Sequence, residues 1–117
     1  MNLPQPGDIH WADFGATLGT EQAGRRPAVV VSEHVFNARS TRVVVCPITS
    51  RPAEWPVVVP VPPLLRTRGV ILCDQVRAID RRARLFDYIE RLPDDSLIAV
   101  RSVLSAILGL ETQAPGT

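Results

Sequence analysis

The chain contains no lysine: all 13 of its basic residues are arginine. It is also short of cysteine (2), methionine (1) and aromatics (2 Trp, 1 Tyr and 3 Phe). Cys46 and Cys73 stand 27 positions apart with no histidine close in sequence, too few ligands for structural zinc, so both read as buried structural thiols. Pro, Arg or Asp interrupts every apolar run well before the roughly 18 residues that a bilayer crossing needs. The start, Met1-Asn2-Leu3-Pro4-Gln5-Pro6, lacks the charged first region and apolar centre of a signal peptide. These absences point to a cytoplasmic protein with no membrane contact and no bound metal.

What is present fits one domain spanning 1–117, a length able to bury roughly two-thirds of its unfolded surface. The net charge of +1 hides an asymmetry: residues 1–86 carry 11 Arg against 7 acids, and residues 87–117 carry 2 Arg against 5. Arginine keeps its charge at any working pH and presents a planar fork of donors to phosphate, so the basic body suits a polyanionic ligand.

Short apolar segments separated by turns predict strands over Gly7–Phe14, Pro27–Ser32, Thr41–Thr49, Trp55–Val61, Gly69–Val76 and Leu85–Glu90. The run Ala28-Val29-Val30-Val31 implies burial on both faces, and Pro56 and Pro60 mark an edge strand. Glu33–Arg39 has room for one helical turn, and Arg81-Arg82-Ala83-Arg84 forms a basic turn. Pro93 with Asp94 and Asp95 starts a helix whose apolar stripe is Leu97, Val100, Leu104, Ile107 and Leu108, and Gly109 ends it. The tail after Leu110 is expected to fray. Many short strands and one late helix predict a mainly β protein, a small, partly open antiparallel barrel carrying a C-terminal helix.

Three segments place polar groups where an apolar strand meets a loop: Glu21 to Arg26, Pro47-Ile48-Thr49-Ser50, and Cys73-Asp74-Gln75 followed by Arg77. Each alone is ordinary surface chemistry. In a compact barrel the three are expected to converge on one groove.

Taken in order, Gly7-Asp8-Ile9, Gly19-Thr20-Glu21-Gln22-Ala23-Gly24-Arg25-Arg26-Pro27, Pro47-Ile48-Thr49-Ser50, Leu72-Cys73-Asp74-Gln75-Val76-Arg77 and Leu92–Leu110 resemble the MazF/PemK/Kid mRNA interferases, the toxins of type II toxin–antitoxin pairs. The resemblance spans residues 6–110. It implies an SH3-like barrel, a homodimer, metal-free cleavage of single-stranded RNA without a cofactor, and a cognate MazE-like antitoxin laid in the RNA groove. The family's arginine before proline falls on Arg26 and its threonine after the third strand on Thr49, which makes these the expected catalytic pair.

RNA cleavage without metal uses the 2′-hydroxyl as nucleophile, so a protein must take its proton, neutralise the phosphoryl oxygens and assist the leaving 5′-oxygen. Arg26 suits charge neutralisation, Thr49 phosphate orientation or proton relay, and Glu21 is the candidate base. Gln22, Arg25, Ser50, Asp74, Gln75 and Arg77 are the expected RNA-binding residues. One branch of the family has His before the Glu-Gln pair and Arg before the Cys-Asp pair; Thr20 and Leu72 stand there in this chain, so that acid–base scheme does not carry over. His10 and His34 match no catalytic position. With few aromatics to stack on bases, Arg51, Arg66 or Arg68 are the candidate stacking planes. The competing expectation is a non-enzymatic barrel that acts by binding its target, as CcdB-like toxins bind DNA gyrase. Those depend on a C-terminal Trp-Gly-Ile, where this chain has Gln113-Ala114-Pro115-Gly116-Thr117.

Overall fold

Consecutive residues on a strand face opposite sides of its sheet, and here each side carries a core. Val29, Val31, Cys46 and Ile48 belong to one buried cluster, and Ala28, Val30, Val43 and Val45 to the other. The valine run is therefore buried on both faces, as its composition implies.

The computed structural model describes residues 3–16, 19, 23–51 and 57–110. Its strands are β1 Asp8–Asp13, β2 Arg25–Val30, β3 Arg42–Thr49, β4 Val58–Pro60, β5 Val70–Leu72, β6 Arg77–Asp80 and β7 Leu85–Arg91. The helices are α1 His34–Arg39, α2 Arg81–Arg84 and α3 Asp94–Leu108. The sheet runs β4-β5-β3-β2-β1-β7, with β6 also paired to β3, and every ladder is antiparallel. Among the described residues no ladder joins β4 to β7, so the barrel is partly open, as expected. Pro60 sits on the edge strand β4, where its missing donor costs no sheet bond.

Three local expectations change. The strand expected over Gly69–Val76 is β5 followed by a 3₁₀ turn at Cys73–Gln75. There Cys73 enters the first core while its N–H donates to the Val57 carbonyl at 3.2 Å, and β6 then resumes along β3. The basic turn at 81–84 is a short helix because the Asp80 carboxylate caps it, accepting from Arg82 N (3.0 Å) and Ala83 N (2.9 Å). Arg25 and Arg26 belong to β2 rather than to the preceding loop, since they continue its ladder with β1. Residues 52–56, of which 55 and 56 belong to the expected edge strand, and the tail after Leu110 lie outside the described residues.

Helix α3 starts and stops where its sequence indicates, but the end of its expected stripe is exposed, at Ile107 and Leu108. It starts after Pro93 with Asp94 and Asp95 in the first turn, buries Leu97, Val100 and Leu104 in the first core, and ends at Gly109 in a left-handed conformation (φ +67). Arg101 ties it to the sheet by donating to the Val31 carbonyl at 2.9 Å and pairing with Glu33 at 3.0 Å.

Candidate active site

The first polar segment is shaped at its base by two backbone bonds: Phe14 N donates to the Gly24 carbonyl (2.9 Å) and Gly24 N to the Gly15 carbonyl (2.8 Å). The chain leaves this pinch directly into β2. Adjacent positions on a strand point opposite ways, so Arg25 and Arg26 part company. Arg25 lays its guanidinium over the Phe86 ring at 4.0 Å. Arg26 lines a groove of about 410 Å³, with its Nε donating to the Ala23 carbonyl at 3.1 Å. Trp11, opposite Pro27 in the β1–β2 register and 40% exposed, forms part of the same wall.

The second segment arrives from β3. The β2–β3 ladder ends where Ala28 faces Pro47, and beyond it Ile48 and Thr49 pair with Ile71 and Val70 of β5, so Thr49 is not itself among the residues lining the groove. Ile48 and Ser50 line the groove. Thr49 between them is 3% exposed, and its Oγ1 accepts from Arg51 N at 3.2 Å. No described residue accepts the Thr49 hydroxyl proton.

The opposite bank is the connection between β4 and β5, which contributes Arg66, Thr67 and Arg68. Three arginines thus line the groove, and among its described lining residues there is no carboxylate. In a concave site of this kind guanidiniums reinforce one another's field and favour an anion that accepts paired hydrogen bonds.

The third segment does not join the other two. Asp74 is exposed on the 3₁₀ turn, Gln75 is half-buried beside it, and Arg77 donates to the Phe14 carbonyl at 3.3 Å with its guanidinium 5.6 Å from that ring. Of the residues expected to bind RNA, Ser50 lies in this groove; Arg25, Asp74, Gln75 and Arg77 lie outside it. Glu21 and Gln22 fall outside the described residues. His10, whose Nδ1 is 2.9 Å from the Phe86 carbonyl oxygen, and His34, whose Nδ1 is 2.8 Å from Gln5 Nε2, also stand away from it.

Both cysteines are free and buried. Burial first, then the nearby Asp74 charge, pushes the Cys73 thiol up to about 11; burial followed by Cys73 and Asp74 raises Cys46 further.

Residues 5–108 match the family of PemK-like, MazF-like toxins of type II toxin–antitoxin systems. The chain belongs to that family. It is 34% identical over 107 residues to the endoribonuclease toxin MazF of Escherichia coli K12, covering 92% of this chain and 96% of that protein. A crystal structure of MazF from Deinococcus radiodurans superposes with a TM-score of 0.86 at 37% identity, covering 93% of this chain and 99% of that one. A MazE–MazF structure from the same organism gives 0.79 at 34% identity, with 93% and 98% covered.

In this MazF-like chain one residue at the groove escaped the sequence reading. Glu90, on β7, accepts from Arg66 N through Oε1 (3.0 Å), and from Thr67 N (2.6 Å) and Thr67 Oγ1 (2.7 Å) through Oε2. Burial alone would raise its carboxyl, but the Thr67 and Arg66 hydrogen bonds outweigh that and hold it below the usual carboxylate range. No local pattern links Glu90 with residues 23 and 24 positions earlier, because the sheet's curvature brings them together.

Proposed function

We propose that this chain, an endoribonuclease toxin, cuts single-stranded RNA in the groove between Arg26, the Thr49–Ser50 corner and the Arg66–Arg68 bank, and that it does so without a metal. The observation that supports this reading is the convergence of the Arg26, Arg66 and Arg68 guanidiniums on one groove that Ser50, the neighbour of the buried Thr49, also lines.

In the proposed reaction the ribose 2′-oxygen attacks the adjacent phosphorus. A P–O2′ bond forms and the P–O5′ bond breaks, leaving a 2′,3′-cyclic phosphate on one fragment and a 5′-hydroxyl on the other. Glu21 takes the 2′-hydroxyl proton. Arg26 neutralises charge gathering on the phosphoryl oxygens, a role suited to a group that stays protonated. Thr49 donates its hydroxyl to the phosphate and relays a proton toward the leaving 5′-oxygen. Arg66, Arg68, Ser50 and Trp11 hold the flanking nucleotides by phosphate contacts and stacking.

The same groove is the proposed seat of an extended segment of a MazE-like antitoxin, and the functional unit a homodimer. The exposed Ile98, Ile107, Leu108 and Leu110 supply apolar surface for association, and light scattering that returns a monomer mass at micromolar protein would refute the dimer.

The test is incubation of purified protein with a long single-stranded RNA in excess chelator. Cutting at short defined sequences, with cyclic phosphate ends, supports the reading. Intact RNA with retained binding supports instead a barrel that acts by occupying its target.

A further inference from the structure

The connection between β4 and β5 carries the outer bank of the groove, yet its own backbone does little to hold that bank. Val61 N donates to the Gly69 carbonyl at its base (2.9 Å), and Leu65 N donates to the Pro62 carbonyl within its turn (3.1 Å). Neither bond reaches Arg66, Thr67 or Arg68. What holds them comes from the other side of the sheet. β4, which precedes this connection, and β7 stand at opposite ends of the strand order, and the opening between them is bridged by side chains from both banks. Glu90 accepts two successive backbone N–H groups and the Thr67 hydroxyl, and Arg66 Nη2 donates to the neighbouring Ile89 carbonyl at 2.6 Å.

A carboxylate beside a phosphate-binding groove is a liability by simple charge repulsion. This one is only 14% exposed and directs both oxygens at the loop. Its lone pairs are taken by the loop's donors, and the Arg66 guanidinium, 4.0 Å away, offsets part of its charge.

We infer that Glu90 is a positioning residue for RNA binding, locking the Arg66–Arg68 bank at the height where its guanidiniums meet the phosphates. This rests on the groove being the RNA site. Glu90 touches neither substrate nor the reacting atoms; it acts through Arg66, and the Arg26–Thr49 pair is independent of it.

Glu90→Gln keeps the shape and one acceptor oxygen but replaces the other with an N–H₂ donor aimed at a donor. The expected result is a rise of about tenfold in KM for a short single-stranded substrate, with kcat within about twofold. Arg66→Ala weakens the wild type but adds little in the Glu90→Gln background, because Glu90 holds the Arg66 backbone and acts through the guanidinium that Arg66→Ala removes. A staple serving stability alone would lower kcat through the active fraction and leave KM unchanged. That outcome, or an undiminished Arg66→Ala effect in the double variant, overturns the proposal. Should Glu90→Gln fail to fold, Thr67→Val removes one of the three hydrogen bonds and is expected to raise KM about threefold; an unchanged KM counts against the clamp. Amide hydrogen exchange separates the two layers. Unaltered protection of the Arg66 and Thr67 amides in Glu90→Gln refutes the clamp alone, whereas wild-type protein that neither binds nor cuts RNA refutes the reading beneath it.

Discussion

Gly69 lies so close to Thr49 that a Cβ on it would stand 1.9 Å from the Thr49 carbonyl oxygen and 2.6 Å from its carbonyl carbon. The glycine also has φ +119, where other residues are strained. The β4–β5 connection can rest against the end of β3, and so complete the groove, only because nothing projects at this position. Gly69→Ala is expected to cost about 3 kcal/mol or more of folding stability, read as a large fall in thermal midpoint, and to abolish RNA cleavage. Gly19→Ala is the control: its φ is +65 but a Cβ meets nothing within 4 Å, so only backbone strain of about 1 kcal/mol is expected. Equal losses in the two variants would mean that the close approach has no energetic weight.

Arg26 and Arg25 are neighbours in sequence with separate surroundings. Arg26→Ala is expected to lower cleavage about 100-fold or more while leaving circular dichroism and thermal midpoint near wild type. Arg25→Ala removes a guanidinium stacked on Phe86 and is expected to cost less than about tenfold. Full activity in Arg26→Ala would remove the proposed catalytic centre.

Thr49 has a hydroxyl that both accepts from Arg51 N and retains a proton to give. Thr49→Ser keeps that bifunctional oxygen and is expected to stay within a few-fold of wild type. Thr49→Val, nearly the same volume, is expected to lose about tenfold or more in kcat. Serine and valine behaving alike would show that the hydroxyl takes no part.

The pH dependence of stability has a predicted sign. The Glu90 and Asp80 carboxyls are held below their unfolded values, Glu90 by the Thr67 and Arg66 donors, which outweigh its burial, and Asp80 chiefly by the Ala83 backbone N–H. Their contribution is fully present above the unfolded carboxylate values, about 3.9 for Asp and 4.3 for Glu, and is lost as pH falls through the lower folded ones. Urea midpoints should therefore decline below about pH 4, and Glu90→Gln should flatten that decline. An acid limb of unchanged steepness in the variant would contradict the assignment.

Neither thiol is expected to react in the native state. Cys73 is held at about 11 and Cys46 higher by burial, so almost no thiolate exists at pH 8. A thiol-specific chromogenic reagent should label both cysteines only after denaturation. Prompt labelling of folded protein would show that the core opens around them.

The sequence by itself determined most of the architecture, because the relevant signals are local. Alternation and valine runs specify which segments become strands, and Pro93 to Gly109 specifies where the last helix starts and stops. Arg26 and Thr49 were singled out by the motifs around them, and the structure puts Arg26 on the groove and Thr49 buried between its lining residues Ile48 and Ser50. Tertiary structure alone decided which polar segments share a surface. It separated Arg25 from Arg26 by strand alternation, turned Asp74 and Gln75 onto a 3₁₀ turn, set Arg77 against Phe14, and brought Arg66 and Thr67 across an open seam to Glu90. Such contacts depend on the curvature of a whole sheet, to which every strand contributes and which no stretch of residues encodes by its own spacing.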